Sequence, residues 1–172
     1  AGDVSCHDNY PIWPVTQSIA LGTGGTGPNG IPDTVSLAVQ ANREAKPVWL
    51  IVGAFMSAGP PDGGFPFRYP TPQQLRALVY AGIIHGATGI VYFTWDSYVS
   101  REGAIMGMSP NPDVKYGPLK TAATPMQMVV AKSLWDAAST INAELNELVT
   151  VLLTPTAGAD LDYTLEATGQ AT

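Results

Sequence analysis

The 172 residues are long enough for one domain with a sizeable core, and they carry a net charge of −6 with only eight Lys plus Arg. No basic cluster is present to neutralise a phosphate backbone, so nucleic acid is not an expected partner. No apolar run reaches the ~18 residues of a membrane span, and no basic stretch followed by an apolar one reads as a signal peptide. A mature secreted or periplasmic chain would look the same, and that location is the expectation.

Hydrophobic residues make up 45% and charged residues 13%, about half the usual charged share. Such a balance suits strands buried on both faces, as parallel sheets require. Eighteen glycines and fifteen prolines belong to long ordered loops, where α/β folds build their sites. The single Cys6 has no partner for an internal disulfide.

In chain order, Asp3–Tyr10 reads as a short strand closed by Pro11 and Pro14. A Gly-rich loop, Gly22–Pro32, leads to a helix from Asp33, as N-cap, to Ala45. Lys46–Phe55 is nearly continuous apolar and β-branched sequence, the clearest buried strand. Gly59–Tyr69 is too rich in breakers to extend either neighbour. Thr71 then opens a helix as N-cap, with Pro72 at N1 and Gln74 completing a capping box. Leu75, Leu78, Val79, Gly82 and Ile83 form one apolar face, and Gly86 stands where a C-terminal glycine belongs. Gly89–Trp95 follows as a second buried strand, then a loop over Asp96–Ala123. Thr124, Pro125 and Gln127 repeat the helix-start signature, and Val130, Leu134, Ala138, Ile141, Leu145 and Leu148 supply the last helix's stripe.

Each strand precedes a helix, so right-handed crossovers predict parallel neighbours. The expected fold is α/β, a partial TIM-barrel-like (β/α) repeat of three to four units over residues 1–154. Residues 155–172 read as a tail or as the start of a further β domain, with a strand expected at Tyr163–Glu166. Three parallel strands leave both sheet edges open. The expectation is completion by further chain or by self-association through those edges, a homo-oligomer.

Four segments, His7–Pro14, Lys46–Phe55, Arg68–Trp95 and Ile141–Pro155, together resemble in order the last third of bacterial glycoside-hydrolase (β/α)8 barrels. The carrying motifs are Asp8-x-Tyr10-Pro11, Lys46-Pro-Val-Trp49, Tyr69-Pro-Thr-Pro72, His85-Gly-Ala-x-Gly-Ile90 and Leu152-Leu-x-Pro155. The block Arg68–Trp95 is the most specific. The resemblance spans residues 3–155 and implies that the strands are the sixth, seventh and eighth of such a barrel. It also implies a carbohydrate-active hydrolase acting on an oligo- or polysaccharide with β-linkages. Retaining members of that clan carry a nucleophilic Glu at strand seven, whereas the equivalent strand here ends Val52-Gly53-Ala54-Phe55 without a carboxylate. No counterpart of their strand four, which bears the acid/base Glu, is present.

Glycoside hydrolysis needs two carboxyl groups, about 5–5.5 Å apart for retention and about 6.5–9.5 Å for inversion. Asp8 and Asp96 stand at strand ends, where this type of barrel keeps its catalytic groups. Turn capping is the plainer reading of both, and substrate hydrogen bonding without proton transfer lies between. Glu102, in the loop after Asp96, is a candidate second carboxylate, although most loop glutamates are simply solvated. Tyr10 and Trp95 are candidate sugar platforms, with barrel-mouth packing as the alternative, and Tyr98 and Phe55 are further candidate contacts, Phe55 being more at home in a core. His7 should point to the face opposite Asp8, and His85 should cap its helix.

Two His and one Cys offer no metal-ligand spacing, and no cofactor is expected. Gly22–Gly27 matches G-x-G-x-x-G formally, but Pro28, Gly30 and Pro32 delay the helix that a pyrophosphate would need. Ser57 lacks the first glycine of a nucleophile elbow. A non-catalytic glycan-binding or structural barrel remnant stands as the rival reading.

Overall fold

The structure is a computed structural model, and it describes residues 3–11, 30–42, 45–57, 67–100, 103–113, 122–152 and 154. It is mixed α/β. Three strands, β1 (Ser5–Asn9), β2 (Val48–Gly53) and β4 (Gly89–Phe93), form a sheet in the order β1-β2-β4. Both pairings are parallel, with Asp8 level with Ile51 and Ile51 level with Val91. Helix α1 (Ile31–Ala41) follows β1, α2 (Pro72–Ile84) follows β2, and α3 (Pro125–Glu147) follows β4, with a last turn α4 (Val149–Leu152). The alternating order and parallel pairing read from the sequence are thus present.

A second, antiparallel sheet was not foreseen. It has the order β3-β6-β5, built from β3 (Met56–Ser57), β5 (Tyr98–Ser100) and β6 (Gly103–Met106). The stretch assigned to one loop, Asp96–Ala123, therefore contains a hairpin. Only Arg101 and Glu102 separate its strands, and neither is the Asn or Gly that usually marks such a turn. The sheet grows from the C-terminal ends of β2 and β4, since β3 begins three residues after β2.

Strand limits are shorter than expected for a physical reason. Pro47 has no N–H to give the ladder, so β2 starts at Val48, although the Pro47 carbonyl accepts from Ser5 N–H at 2.9 Å. Thr94 and Trp95 leave β4, whose last peptide, Phe93–Thr94, is cis, and their carbonyls accept instead from Met108 and Ser109. Helix α1 starts earlier than expected. Gly30 is its N-cap and Pro32 lies in its first turn, where the fixed φ of proline is already helical and the missing N–H has no cost. Asp33 is then an acid in the first turn, favourably placed against the helix dipole, and the helix ends at Ala41 with Asn42 as C-cap.

Helices α2 and α3 begin as their sequences dictate. Thr71 Oγ1 accepts from Gln74 N–H and Gln74 Oε1 accepts from Thr71 N–H, and Thr124 with Gln127 does the same. Gly86 has φ +101°, a left-handed conformation that glycine adopts without cost, and it follows the C-cap His85. His85 Nδ1 pairs with Ser36 Oγ at 2.9 Å, tying the end of α2 to α1.

Alternation along the strands sorts two faces. Val48, Leu50 and Val52 are buried together with Val35 of α1, Leu75, Leu78 and Val79 of α2, and Leu134 of α3. Each such side chain contributes about 1.5–3 kcal/mol on burial. His7 shares this helix-covered side, half-buried, and its Nε2 is buried with no partner among the described residues. On the other face Cys6, Asp8, Trp49 and Val91 are exposed, and no described helix covers them. Trp49 lies over Gly89, which has no side chain to obstruct it. Between α2 and α3, Arg76 pairs with Glu144, which also accepts from Tyr80 at 2.9 Å. Of the α3 stripe, Leu134, Ala138 and Ile141 are buried, Val130 and Leu145 partly so, and Leu148 stays exposed. Among the described residues no helix is long and apolar enough to cross a membrane.

Candidate functional site

The end of β1 delivers Asp8 and Tyr10 to the open face at the C-terminal end of the parallel strands, where Phe93 ends β4. The Tyr10 and Phe93 rings stack, 5.8 Å apart with 25° between their planes. They cross the middle strand at Gly53, and a Cβ there would come within 2.9 Å of Tyr10 Cδ1, so glycine is what lets the Tyr10 ring lie down. Phe55 meets both rings edge-on at 5.2 and 5.5 Å, Phe67 meets Tyr10 at 6.3 Å, and Tyr98 meets Phe93 at 6.4 Å. The cluster is tightly supported from beneath. The void lined by Tyr10, Gly53, Phe55 and Phe67 measures about 10 Å³, room for one water at most. A ligand can therefore lie on this floor but cannot sink into it.

Burial pushes the Tyr10 phenol up to about 12, helped by the Asp8 carboxylate and then by Tyr98. The phenol is thus a neutral hydrogen-bond donor throughout the physiological range, beside the Asp8 carboxylate two residues earlier in the chain. Asp8 is exposed, and among the described residues no cation pairs with it. Arg68 borders the cluster, but its guanidinium donates to Tyr69 O at 3.1 Å and to Gln74 Oε1 at 2.9 Å.

The expected site residues thus divide. Asp8, Tyr10, Phe55 and Tyr98 converge. Phe55 is only 4% exposed, so its ring supports the floor and offers no face to a ligand, which corrects its reading as a sugar contact. Trp95 goes elsewhere: its ring lies 4.6 Å from that of Trp135 on α3, and both are about two-fifths exposed. Asp96 is exposed in the turn after β4, where Ser97 Oγ accepts from Gly107 N–H. Glu102 lies outside the described residues, as do the Gly22–Gly27 motif and the strand expected at Tyr163–Glu166. Ser57 is buried and accepts from Phe67 N–H at 3.0 Å, a structural role that holds the floor's edge.

Sequence reasoning missed Phe93 and Phe67. Phe93 carried a signal, because Tyr10 and Phe93 end the two strands that flank β2 and so meet across it. Phe67 sits in a run of breakers with no periodicity. A separate groove of about 430 Å³ runs between the starts of α2 and α3, lined by Met56, Arg68, Thr71, Met126, Gln127 and Val130 among others. Among the described residues no three His, Cys, Asp or Glu side chains gather as metal ligands. Comparison of the chain with protein-family models, with curated proteins and with solved structures finds no match in any of the three.

Proposed function

We propose that the chain belongs to a carbohydrate-active hydrolase of the (β/α)8-barrel type and forms part of its glycan-binding wall. The observation that supports this most is the Tyr10–Phe93 stack beside Asp8, at the C-terminal end of parallel strands. That end is where parallel β/α folds place their sites. Aromatic faces take the apolar C–H face of a pyranose, and its hydroxyl rim then meets a phenol donor and a carboxylate acceptor. Asp8 is the first candidate acid/base group. Asp96 or Glu102 would supply the second carboxyl that hydrolysis of a β-linked glycan requires, and Trp95 a further sugar contact. Closure of the sheet in this reading comes from further parallel strands or from a second copy beside the open edges of β1 and β4.

Hydrolysis of aryl β-glycosides and soluble β-linked polysaccharides is the test. Asp8→Asn and Asp96→Asn should each lower kcat/KM by about 10²–10⁴, with the fold intact by circular dichroism. No turnover of any substrate overturns the hydrolase reading. Binding without turnover would fit a second reading, a non-catalytic glycan-binding module. One observation favours that reading: the middle strand leads into Gly53, Ala54 and Phe55, all buried and none a carboxylate.

A further inference from the structure

We infer that the groove between the starts of α2 and α3 is a second binding site, one that takes a carboxylate carried on a linear aliphatic chain. The inference goes beyond the glycan reading and does not depend on it. At about 430 Å³ the groove falls within the range, roughly 300–1,000 Å³, of sites that hold small molecules. Its walls are largely apolar, formed by Met56, Pro70, Pro72, Met126 and Val130. Two of these are methionines, whose unbranched side chains reshape around a flexible ligand. Met56 is held at its sulfur, which accepts from Gln127 Nε2 at 3.4 Å, whereas Met126 is 71% exposed.

Among the described residues that line this groove, Arg68 is the cation. It is half-buried, and its Nη1 donates to Tyr69 O at 3.1 Å and to Gln74 Oε1 at 2.9 Å. Both acceptors are uncharged, so the two bonds fix the planar group and leave its positive charge in place. A guanidinium has five N–H donors, more than these bonds use, and its fork fits a carboxylate. Helices α2 and α3 both open here, through Thr71 and Pro72 of one and Met126 and Gln127 of the other. The positive ends of their dipoles add to the field of Arg68. A headgroup alone does not suffice, because the chain's net charge of −6 repels anions at a distance. An aliphatic tail against the apolar walls supplies the rest.

The test is calorimetric titration of the 172-residue chain with octanoate, octanol and acetate. Octanoate should bind saturably at one site, about ten-fold more tightly than octanol, and acetate should give no measurable binding. Arg68→Gln should bring octanoate to within about two-fold of octanol, and Arg68→Lys, which keeps the charge, should retain part of the preference. Met126→Asp adds a carboxylate to the groove at an exposed first-turn position, where a helix accepts an acid. It should weaken octanoate about three-fold or more and octanol less. Equal affinity for octanoate and octanol in the wild type overturns the inference. So does an octanoate affinity unchanged in Arg68→Gln, which would place the ligand on the open sheet face instead. If Arg68→Gln loses its fold by circular dichroism, Met126→Asp carries the test, and an octanoate affinity unchanged there is equally fatal. No binding of octanoate by a wild-type chain with intact secondary structure overturns the inference outright.

Discussion

Tyr10 shows how one residue links stability to the site. Its phenol is held up to about 12 by burial first, then by Asp8 and Tyr98, against an ordinary 10.0. The folded state therefore keeps a proton that the unfolded state releases once the pH passes 10. Stability from this group is full below pH 10 and is lost as the pH rises from there towards 12. Tyr92 is also pushed up to about 12, mainly by burial, and adds a loss of the same sign. Urea unfolding at stepped alkaline pH should show the decline, and Tyr10→Phe should make it shallower. A decline of equal slope in the variant would count against this placing of Tyr10. The residue was legible in the sequence as a strand-end aromatic, but its partner Phe93 and the permissive Gly53 emerge only when parallel pairing sets the two outer strands in register.

At the scale of elements, the two capping boxes were the most legible feature and turns the least. A capping box is a local device: Thr71 with Gln74 and Thr124 with Gln127 need only three-residue spacing, so sequence alone locates them. The β5–β6 hairpin depends instead on β3, which supplies β6 with its second neighbour from a segment some fifty residues earlier. The placing of Trp95 away from the Tyr10–Phe93 floor has a related reason. Its strand-end position is local, but its neighbour Trp135 lies on the helix that follows, and tertiary packing chose the pair. The caps also permit a quantitative expectation. Thr71→Ala and Thr124→Ala each remove the acceptor for an N–H of the first helical turn and should each cost about 0.5–2 kcal/mol. Thr→Ser, which keeps the oxygen, should restore most of it. Chemical denaturation reads the difference, and values indistinguishable from zero for both alanine variants would show that the helix starts are held by packing alone.

Among the described residues the cover of the parallel sheet is asymmetric. Helices bury Val48, Leu50 and Val52 on one side, while Trp49 is 41% and Val91 38% exposed on the other. Among the described residues no strand pairs with the outer edge of β1 or of β4. Unpaired backbone groups beside exposed apolar side chains are a template for further strands, and hydrophobic association follows the apolar area removed from water. The 172-residue chain on its own should therefore self-associate, and sedimentation equilibrium should return a mass above 18.1 kDa that rises with concentration. Val91→Lys places a charge on the open face of an edge strand, a device that opposes edge pairing, and should shift the population towards monomer without loss of helix content. If the wild-type chain sediments as a monomer at every concentration with its secondary structure complete, the open face is stable in water as it stands. The barrel-like reading would then lose its main physical support, because a parallel sheet with one bare apolar face would need no closure to persist.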